Sequence, residues 1–434
     1  MSATIGIRKE DKYLMERRAP LTPTHVKKLV EKDKLNIIVE ASDKRIFTDA
    51  EYKQAGAKIE ENLKNCQVIL GVKEIPEEKF EKEKTYVFFS HVIKGQPYNM
   101  PMLKKMMQQK CNLIDYERIA DDQNRRLIFF GKFAGLAGMI DSLWSLGERL
   151  KYYGYETPFL EIKQSCKYNS LEEAKTTISN VGQKIAEQGL PEELCPFTIG
   201  FTGYGNVSVG AQEIASLLPV KEILPDELAK LKDNKNIPNN VVYKVIFKEE
   251  NLSARNDGQP FDLQDYYNNP QKYHSIFDQY IPHLTVLMNC MYWDDRYPRI
   301  VTKDYIKKLF EKGQPKLTVI GDITCDPDGS VEITHKGTPI EDPVFVYNPF
   351  TGKPTSGFEG EGMLVMAVDI LPSELPRDSS IAFGDALVEF IKPISDADFE
   401  ESFENIKLPS PIKKALILHK GNLTPDYKYI ENYL

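Results

Sequence analysis

Residues 197–210 have the sequence Phe197-Thr-Ile-Gly-Phe-Thr-Gly-Tyr-Gly-Asn-Val-Ser-Val-Gly210. An apolar run of strand length comes first, a turn containing Gly203 and Gly205 follows, and a stretch with helical spacing comes last. Glycines in such a turn let the backbone approach a pyrophosphate, and the N-terminus of the following helix supplies N–H donors. Ser208 replaces the third glycine of the usual fingerprint, and Gly210 comes two residues late. The stretch predicts a dinucleotide-binding α/β unit, with a tight turn that holds no ligand as the alternative.

The second feature expected of a dinucleotide site is an acidic side chain about 20 residues beyond the glycine turn, where it binds ribose hydroxyls. Asp226, within Ile223-Leu-Pro-Asp-Glu227, is the candidate, and Glu222 is the second choice. A carboxylate at this position favours NAD, because it repels the 2′-phosphate of NADP. The alternative role for Asp226 is that of a helix N-cap.

Apolar runs of strand length alternate with helical patterns along the rest of the chain, which is typical of parallel α/β sheets. Before residue 150, the predicted strands are Thr4–Ile7, Asn36–Glu40, Val68–Val72, Tyr86–Ser90, Leu113–Tyr116 and Leu127–Phe130. The later predicted strands are Phe197–Phe201, Leu284–Cys290 and Leu317–Ile320, and Val241–Phe247 is interpreted as an inserted strand. The predicted helices are Thr22 to about Val30, Phe133 toward Tyr153, Val207–Leu218 and Asp378–Phe390. Gly135 and Gly138 give the second helix a face for close packing.

We therefore predict an α/β fold with two Rossmann-like domains whose parallel sheets are separated by a cleft. Residues 1–150 form the substrate and catalytic domain, to which the chain returns at about residues 378–434. Residues 195–377 form the nicotinamide dinucleotide-binding domain. The length of 434 residues supports two lobes, because single cores stop growing beyond about 250–300 residues.

The composition argues against several classes of protein. Hydrophobic residues at 41% and charged residues at 28% describe a globular chain, and a net charge of -8 argues against a nucleic-acid-binding face. No apolar run approaches the roughly 20 residues that a membrane helix requires. A strand pattern begins almost at the N-terminus, so we expect no targeting segment and a cytoplasmic location. The 6 cysteines are scattered without a CxxC pair, so we expect neither a disulfide scaffold nor a metal site.

Functional side chains are also predicted at the ends of strands in the N-terminal half. Lys73 and Glu74 end one strand and His91 ends the next, and the carboxyl ends of parallel strands face the ligand crevice. Arg18 and Arg126 add guanidinium groups, which pair bidentately with carboxylates. A lysine and a histidine exchange protons near neutral pH once burial and neighbours adjust them. Taken singly, Lys73 is also explained by an ion pair with Glu74, and His91 by a hydrogen-bonded place in the core.

Several motifs spread over essentially the whole chain resemble one enzyme family. They are Ile5-Gly-Ile-Arg-Lys-Glu10, Glu16-Arg-Arg-Ala-Pro-Leu-Thr-Pro23, Leu70-Gly-Val-Lys-Glu74, Phe88-Phe-Ser-His-Val-Ile-Lys94, Phe130-Gly-Lys-Phe-Ala-Gly-Leu-Ala-Gly138, Phe201-Thr-Gly-Tyr-Gly-Asn-Val-Ser208, Asp369-Ile-Leu-Pro-Ser-Glu-Leu-Pro376 and Pro425-Asp-Tyr-Lys-Tyr-Ile430. The first two resemble the opening of the alanine dehydrogenase and saccharopine dehydrogenase superfamily. The next two resemble lysine-forming saccharopine dehydrogenases. The last four resemble the lysine-ketoglutarate reductase half of the bifunctional aminoadipic semialdehyde synthases.

The resemblance implies an oxidoreductase of lysine degradation. The ε-amine of L-lysine condenses with the 2-oxo group of 2-oxoglutarate, and hydride from a nicotinamide cofactor reduces the imine to saccharopine. The catalytic residues that the matching motifs imply are the acid–base pair Lys73 and His91, with Glu74 and Glu117 adjusting their pKa values. The implied substrate-binding residues are Arg18, Arg126 and Lys94. The implied cofactor-binding residues are Gly203, Gly205, Asn206 and Val207 at the pyrophosphate turn, with Asp322 and Asp369 near the nicotinamide.

The resemblance favours NADP as the cofactor, whereas Asp226 supports NAD. The bifunctional relatives continue into a glutamate-forming saccharopine dehydrogenase, so we expect either a monofunctional enzyme or one half that works with such a partner. Those relatives are often mitochondrial, which is the alternative to a cytoplasmic location. Three other functions remain open: an NAD-dependent, lysine-forming saccharopine dehydrogenase of lysine biosynthesis, an amino-acid dehydrogenase such as alanine dehydrogenase, and a catalytically silent structural or regulatory homologue.

Overall fold

The chain folds into two compact units, and the computed structural model describes residues 2–233 and 236–434. Unit 1 consists of Met1–Phe130 and Pro376–Leu434, and unit 2 of Gly131–Leu375. The division at Phe130 differs from the predicted limit at residue 150, because the long helix that starts at Gly131 packs against elements of unit 2.

The first part of unit 1 alternates parallel strands with helices. Its strands are β1 (Ile5–Ile7), β2 (Ile37–Glu40), β3 (Lys58–Glu60), β4 (Val68–Leu70), β5 (Thr85–Phe88) and β6 (Asn112–Asp115). Its helices are α1 (Pro23–Glu31), α2 (Asp49–Gln54) and α3 (Met100–Gln108), with 3₁₀ helices at Glu77–Lys79, Pro97–Asn99 and Tyr116–Arg118. The strand predicted at Leu127–Phe130 is wrong: the segment is irregular, and its apolar side chains pack against the core of unit 1 from a loop.

Unit 2 begins with α4 (Gly131–Tyr152), the helix predicted from Phe133. Its other helices are α5 (Leu171–Gln188), α6 (Asn206–Ala215), α7 (Pro225–Leu228), α8 (Glu249–Leu252), α9 (Leu263–Asn268) and α10 (Lys303–Glu311). Its strands are β7 (Phe197–Thr202), β8 (Val220–Ile223), β9 (Val242–Phe247), β10 (Ser253–Arg255), β11 (Tyr273–Ser275), β12 (Val286–Asn289), β13 (Val319–Asp322), β14 (Val344–Asn348), β15 (Lys353–Ser356) and β16 (Met363–Met366). Its 3₁₀ helices are Pro158–Glu161, Ser165–Lys167, Glu192–Leu194, Ala229–Asp233, Pro270–Lys272, Phe277–Gln279, Ile281–His283 and Leu371–Glu374.

The chain then returns to unit 1 through α11 (Pro376–Asp396), which confirms the helix predicted at Asp378–Phe390. It ends with α12 (Ser410–Lys414), β17 (Leu416–His419), β18 (Asn422–Leu423) and the 3₁₀ helix Pro425–Tyr433. Among the described residues, the sheet of unit 1 has eight strands in the order β18-β17-β6-β5-β4-β1-β2-β3. Strands β1 to β6 are parallel, and β17 and β18 complete the edge in antiparallel pairing.

The main sheet of unit 2 has the order β15-β14-β16-β13-β12-β7-β9-β8. The run from β16 to β8 is parallel, and β14 and β15 are antiparallel. The strand predicted at Val241–Phe247 is β9, which lies in the main sheet between β7 and β8. Both sheets confirm the predicted α/β class with mostly parallel, Rossmann-like sheets.

Glycines set the close packing of α4 on α6 in unit 2. A Cβ added to Gly135 would lie 1.8 Å from the carbonyl oxygen of Val207, and one added to Gly210 would lie 2.1 Å from that of Lys132. Only glycine permits this approach, because any side chain would meet backbone atoms that cannot give way. The contact fixes α6, and with it the turn that precedes the helix. Within the described ranges, no helix is both long and apolar enough to cross a membrane.

Candidate active site

The first group of candidate residues follows the carboxyl ends of β4 and β5, which are neighbouring parallel strands of unit 1. Lys73 and Glu74 lie in the loop after β4, and His91 lies after β5 with a φ of 50°. The carboxylate of Glu10 fixes the first loop, because it accepts hydrogen bonds from the backbone N–H of Val72 at 2.8 Å and of Lys73 at 3.0 Å. The fold therefore places the lysine, the glutamate and the histidine at one edge of the sheet.

Glu74 joins His91 to a second lysine. Its Oε1 lies 2.8 Å from His91 Nδ1 and 2.9 Å from Lys12 Nζ. Burial acts to raise the pKa of Glu74, but the hydrogen bond and charge of His91, together with Lys12, hold it at about 2. Because the ionised Glu74 accepts from Nδ1–H, the hydrogen bond assigns the exchangeable position of the imidazole to Nε2. The side chain of His91 is 33% exposed, so this nitrogen can meet a substrate.

Lys73 has a desolvated amine. Burial, reinforced by repulsion from Arg18, lowers the pKa of Lys73 below its usual value, although Glu16 and Glu74 oppose the effect. No carboxylate of the described chain lies within 4.0 Å of the Lys73 amine, whereas Lys12 is paired directly with Glu74. Lys73 is thus the amine of this site that loses its proton more readily.

Arg18 is held in place by the buried carboxylate of Glu16. Arg18 donates from Nε at 2.8 Å and from Nη2 at 2.6 Å to the two oxygens of Glu16. Burial acts to raise the pKa of Glu16, but the charges of Arg18 and Lys73 hold it below its usual value. The bidentate pair fixes the plane of the guanidinium group, and Nη1 lies on the edge of the group that does not face Glu16.

Three phenylalanines form what we call the aromatic floor: Phe89, Phe130 and Phe383. Phe130 and Phe383 are stacked, with ring centroids 4.5 Å apart and an interplanar angle of 10°. Phe89 lies 6.1 Å from Phe130 and 6.0 Å from Phe383. Phe383 belongs to α11, so the segment with which the chain returns to unit 1 contributes one of the three rings. Buried aromatic pairs of this kind contribute about 0.5–1.5 kcal/mol beyond their area.

The cationic candidates lie on this floor. The Arg18 guanidinium lies 4.2 Å from the Phe130 centroid, and that of Arg126 lies 5.9 Å from the Phe89 centroid. The His91 ring stacks on Phe89, with centroids 6.2 Å apart and an angle of 14°. Cation–π attraction orients the guanidinium groups without neutralising them. The site therefore combines the fixed guanidinium group of Arg18 with the less constrained one of Arg126, and both suit the recognition of carboxylates.

The remaining candidates of unit 1 are less closely connected. Glu117 Oε1 lies 4.0 Å from Arg126 Nη1, and its backbone N–H donates to the buried carboxylate of Asp115 at 2.7 Å. Asp115 also accepts from the backbone N–H and hydroxyl of Ser90, and so joins the loops after β5 and β6. Lys94 is exposed, and no ion pair of the described chain connects its amine to the other candidates.

The glycine turn of unit 2 lies between β7 and α6. Gly203 has a φ of 79°, which L side chains rarely adopt, and a Cβ added to Gly205 would meet no described atom within 4 Å. Gly205 is the N-cap of α6, and no described side chain caps the helix, so the N–H groups of the first turn, which includes Asn206 and Val207, are available to an anion. The turn borders a cavity of about 340 Å³. These features fit the pyrophosphate of a dinucleotide.

Asp226 and Glu222 do not lie at this turn. β8, which precedes Asp226, is the edge strand of the parallel run, and β9 separates it from β7. Asp226 lies in the first turn of α7, after Leu224 as the N-cap, and its side chain is 73% exposed. Glu222 forms an ion pair with Lys244 at 2.7 Å. Glu249, which follows β9, instead lines the cavity together with Gly203 and Gly205.

Asp322 is the last residue of β13, and Asp369 lies in the loop after β16. The buried carboxylate of Asp322 accepts hydrogen bonds from Asn289 at 2.8 Å, from Thr324 at 2.6 Å and from Thr334 at 2.6 Å. Burial raises the pKa of Asp322. This carboxylate therefore organises the loops at the carboxyl edge of the sheet. Asp369 is exposed, and its backbone N–H donates to the carbonyl of Thr338 at 3.2 Å.

Sequence reasoning missed several residues that shape the two sites. Glu16 precedes the two arginines in one of the quoted motifs, and the adjacent opposite charges were an available signal. Phe89 and Phe130 also stand in those motifs, but nothing local indicates that they support cations. Glu10 and Glu249 have partners that are distant in sequence, so no spacing rule finds them.

Two family models match the sequence. The model described as Alanine dehydrogenase/PNT, N-terminal domain, matches residues 6–137, and that described as Alanine dehydrogenase/PNT, C-terminal domain, matches residues 275–426. A solved L-alanine dehydrogenase has a TM-score of 0.62 at 16% identity and covers 99% of this chain and 100% of its own. That likeness shows a shared fold.

Three relatives extend over nearly the whole chain. An alpha-aminoadipic semialdehyde synthase of Arabidopsis thaliana is 40% identical over 99% of this chain and 41% of its own length. The mitochondrial alpha-aminoadipic semialdehyde synthase of Bos taurus is 35% identical over 99% of this chain and 48% of its own length. A saccharopine dehydrogenase [NAD(+), L-lysine-forming] of Emericella nidulans is 26% identical over 92% of this chain and 93% of its own length. The chain thus spans less than half the length of the two synthases.

Proposed function

The chain belongs to the alanine dehydrogenase/PNT family, and we propose that it is a lysine-ketoglutarate reductase, which condenses L-lysine with 2-oxoglutarate and reduces the imine to saccharopine. The observation that carries the proposal is the cluster of cationic side chains in unit 1. It combines two guanidinium groups and a carboxylate-bound histidine on the aromatic floor with the desolvated amine of Lys73, whose pKa the charge of Arg18 helps to lower. The synthases that match 99% of the chain supply the choice of substrates.

Arg18 and Arg126 bind the carboxylates of the substrates. 2-Oxoglutarate carries two carboxylates and lysine carries one, so cations must outnumber anions where the substrates meet. Glu16 neutralises one face of Arg18 and fixes its plane, which leaves Nη1 to a substrate carboxylate. Arg126 has a side chain that is 43% exposed and only a 4.0 Å contact with Glu117, so it can turn toward a second carboxylate.

Lys73 and His91 move the protons. The amine of lysine must lose a proton before it attacks the 2-oxo group. Lys73 Nζ accepts this proton, because burial and the charge of Arg18 lower its pKa and favour the neutral amine that a general base requires. The hydroxyl of the carbinolamine must gain a proton to leave as water, and His91 Nε2 donates it. Glu74 holds the opposite ring nitrogen and stabilises the charged imidazole. Glu117 affects the proton transfers more weakly than Glu74, because its carboxylate contacts Arg126 at 4.0 Å.

The glycine turn of unit 2 holds the pyrophosphate of the cofactor, through Gly203, Gly205 and the N-terminus of α6. When bound, the nicotinamide supplies the hydride that reduces the imine. We assign to unit 2 the positioning of the cofactor and not acid–base chemistry. Asp322 is not assigned as an acid or base, because its carboxylate is held by hydrogen bonds to other residues of unit 2. The resemblance of the sequence favours NADPH as the reductant. A glutamate-forming saccharopine dehydrogenase is the proposed partner for the next reaction, and the cytoplasmic location remains a prediction.

The test is the absorbance of the reduced nicotinamide, followed with purified protein, L-lysine and 2-oxoglutarate. We expect oxidation only when both substrates are present, with saccharopine detected by mass spectrometry. Ammonia with pyruvate serves as the control for an alanine dehydrogenase, and it should give no turnover. Turnover with that pair, or none with any pair from folded protein, would overturn the proposal in favour of an amino-acid dehydrogenase or a silent homologue.

One alternative is favoured by a specific observation. The Emericella nidulans relative matches 93% of its own length, and its name describes an NAD-dependent, lysine-forming enzyme. This alternative uses the same reaction in the opposite direction, so it predicts faster turnover with saccharopine and NAD⁺ than with lysine, 2-oxoglutarate and the reduced cofactor. Rates measured in both directions at one pH separate the two.

A further inference from the structure

The loop after β5 has a backbone conformation that neighbouring contacts must hold. His91 has a φ of 50° and Gly95 a φ of 65°, and a residue other than glycine persists in this region of φ only where its surroundings fix it. Two contacts are local. The N–H of Gly95 donates to the carbonyl of Val92 at 3.0 Å, and the side-chain amide of Asn99 donates to the carbonyl of His91 at 3.2 Å. Neither contact involves Ile93, so the middle of the loop is held from another part of the chain.

The 3₁₀ helix Pro425–Tyr433 supplies that contact. Tyr429 donates its hydroxyl to the carbonyl oxygen of Ile93 at 2.7 Å. The ring of Tyr433 packs so closely on Gly95 that a Cβ added to this glycine would lie 2.3 Å from Tyr433 Cγ. The two tyrosines are 45% and 51% exposed, so they bury less surface than a residue of the core. They instead fix the backbone at two positions, which lie two and four residues after the histidine.

The same helix is anchored on the segment after β6, which carries Glu117. Tyr427 is buried, and its hydroxyl accepts a hydrogen bond from Arg118 Nε at 3.0 Å and donates to the carbonyl of Lys414 at 2.7 Å. Ile430 is fully buried in the core of unit 1. The helix therefore connects the segments that follow two neighbouring strands, β5 and β6.

We propose that Tyr429 and Tyr433 are positioning residues for His91. They hold the backbone at Ile93 and Gly95, and so keep the imidazole where Nε2 protonates the hydroxyl of the carbinolamine. The inference rests on the proposed function, which assigns that proton to the histidine. Proton transfer depends steeply on the distance between donor and acceptor, so a small displacement of this loop lowers the rate of the step without changing the charge of any group.

The two contacts differ in chemistry, and single substitutions separate them. Tyr429 acts through its hydroxyl, so Tyr429→Phe removes the hydrogen bond and keeps the ring. Tyr433 acts through its ring, so Tyr433→Ala removes the contact with Gly95 and Tyr433→Phe retains it. We expect Tyr429→Phe and Tyr433→Ala each to lower kcat about tenfold, which is less than the roughly hundredfold loss from a full misplacement of a catalytic group. Tyr433→Phe should recover the kcat that Tyr433→Ala loses.

The experiment measures steady-state rates of the purified full chain, with L-lysine, 2-oxoglutarate and NADPH varied in turn. Arg18 and Arg126 bind the substrate carboxylates in the proposed function and lie outside the loop, so the KM values should change by less than about twofold while kcat falls. Hydrogen exchange of the peptide that covers residues 91–99 is measured on the same samples. It should be faster in Tyr429→Phe and in Tyr433→Ala than in the wild type, because the loop has lost a contact.

The matched control is Tyr98→Phe, which removes the hydroxyl of an exposed tyrosine in the 3₁₀ helix Pro97–Asn99. That hydroxyl forms no hydrogen bond within the described chain, so kcat, the KM values and the exchange should stay unchanged. Wild-type kcat or unchanged exchange in Tyr429→Phe would overturn the inference and leave the reductase in place, and so would an equal loss of kcat in Tyr433→Phe and Tyr433→Ala. A wild type without lysine-dependent oxidation would overturn the proposed function and the inference together.

Discussion

Replacement of Glu74 by glutamine removes the carboxylate that binds His91 and Lys12. The pKa of Glu74 is about 2, against an ordinary value of 4.5, so the folded state stabilises the ionised carboxyl by about 3 kcal/mol. Because the pKa is lower in the folded state, this contribution is fully present above about pH 5 and is lost as the pH falls toward 2. We therefore expect Glu74→Gln to lower the free energy of unfolding of unit 1 by about 3 kcal/mol at pH 7, and by progressively less toward acid.

The assay must report on unit 1 alone. Trp144 and Trp293 are the 2 tryptophans of the sequence, and both belong to unit 2, so intrinsic fluorescence follows the wrong unit. Hydrogen exchange with mass spectrometry on peptides from β5 and β6 reports on the sheet next to Glu74. Exchange is measured against urea concentration at several pH values from 3 to 7, and the rates are corrected for their intrinsic pH dependence.

Glu117→Gln is the control for this measurement. Glu117 has only a 4.0 Å contact with a partly exposed arginine, and such pairs contribute about 0–1 kcal/mol. Its loss should therefore be small and nearly independent of pH. A Glu74→Gln protein as stable as the wild type at pH 7 would refute the reasoning. An equal loss at pH 3 and pH 7 would refute it too, since the effect would then come from packing and not from charge.

Five further variants test the proposed site and the packing and pH dependence of unit 2. Lys73→Met and His91→Gln should each lower turnover strongly with an unchanged circular dichroism spectrum, and a wild-type rate in either would contradict the acid–base assignment. Gly210→Ala should lower the melting temperature followed by tryptophan fluorescence, since its Cβ would lie 2.1 Å from a carbonyl oxygen of α4. Gly205→Ala meets open space and should melt as the wild type does while binding NADH more weakly; equal melting of the two variants would contradict this account. Burial raises the pKa of Glu374 well above its ordinary value, so the stability of unit 2 should fall as the pH rises above about 5. Glu374→Gln should weaken that dependence, and a variant with the same pH profile as the wild type would contradict this account.

The hydrophobic pattern predicted the strands whose apolar residues are buried within a sheet. The prediction failed where apolar residues of a loop are buried against other parts of the unit. Leu127–Phe130 has the composition of a strand, yet Phe130 lies beneath the Arg18 guanidinium and stacks on Phe383 from an irregular loop. A hydrophobic pattern records burial and not the partner against which a side chain is buried, so such a segment cannot be distinguished from a strand by pattern alone.

The ends of strands were informative about the candidate site, because a parallel sheet brings its carboxyl ends to one edge whatever the loops do. This argument predicted that Lys73 and His91 lie at the same edge of the sheet, where β4 and β5 end. It could not supply Phe383, which comes from α11 at the far end of the sequence, nor the choice of Glu74 and not Lys73 as the partner of His91. Both depend on how distant segments pack, and no local spacing encodes that.

The surroundings of the glycine turn show that a spacing rule depends on the order of the strands in the sheet. The rule of about 20 residues assumes that the second strand in sequence lies next to the first in the sheet. Here the second strand, β8, takes the edge position and the third, β9, takes the adjacent one. Glu249, which follows the adjacent strand, therefore lines the same cavity as the glycine turn, whereas Asp226 follows the edge strand. Gly210 obeys the same logic, because it permits the approach of α4 and its position follows that helix and not the glycine fingerprint. Spacing is thus a consequence of topology, and the topology has to be known first.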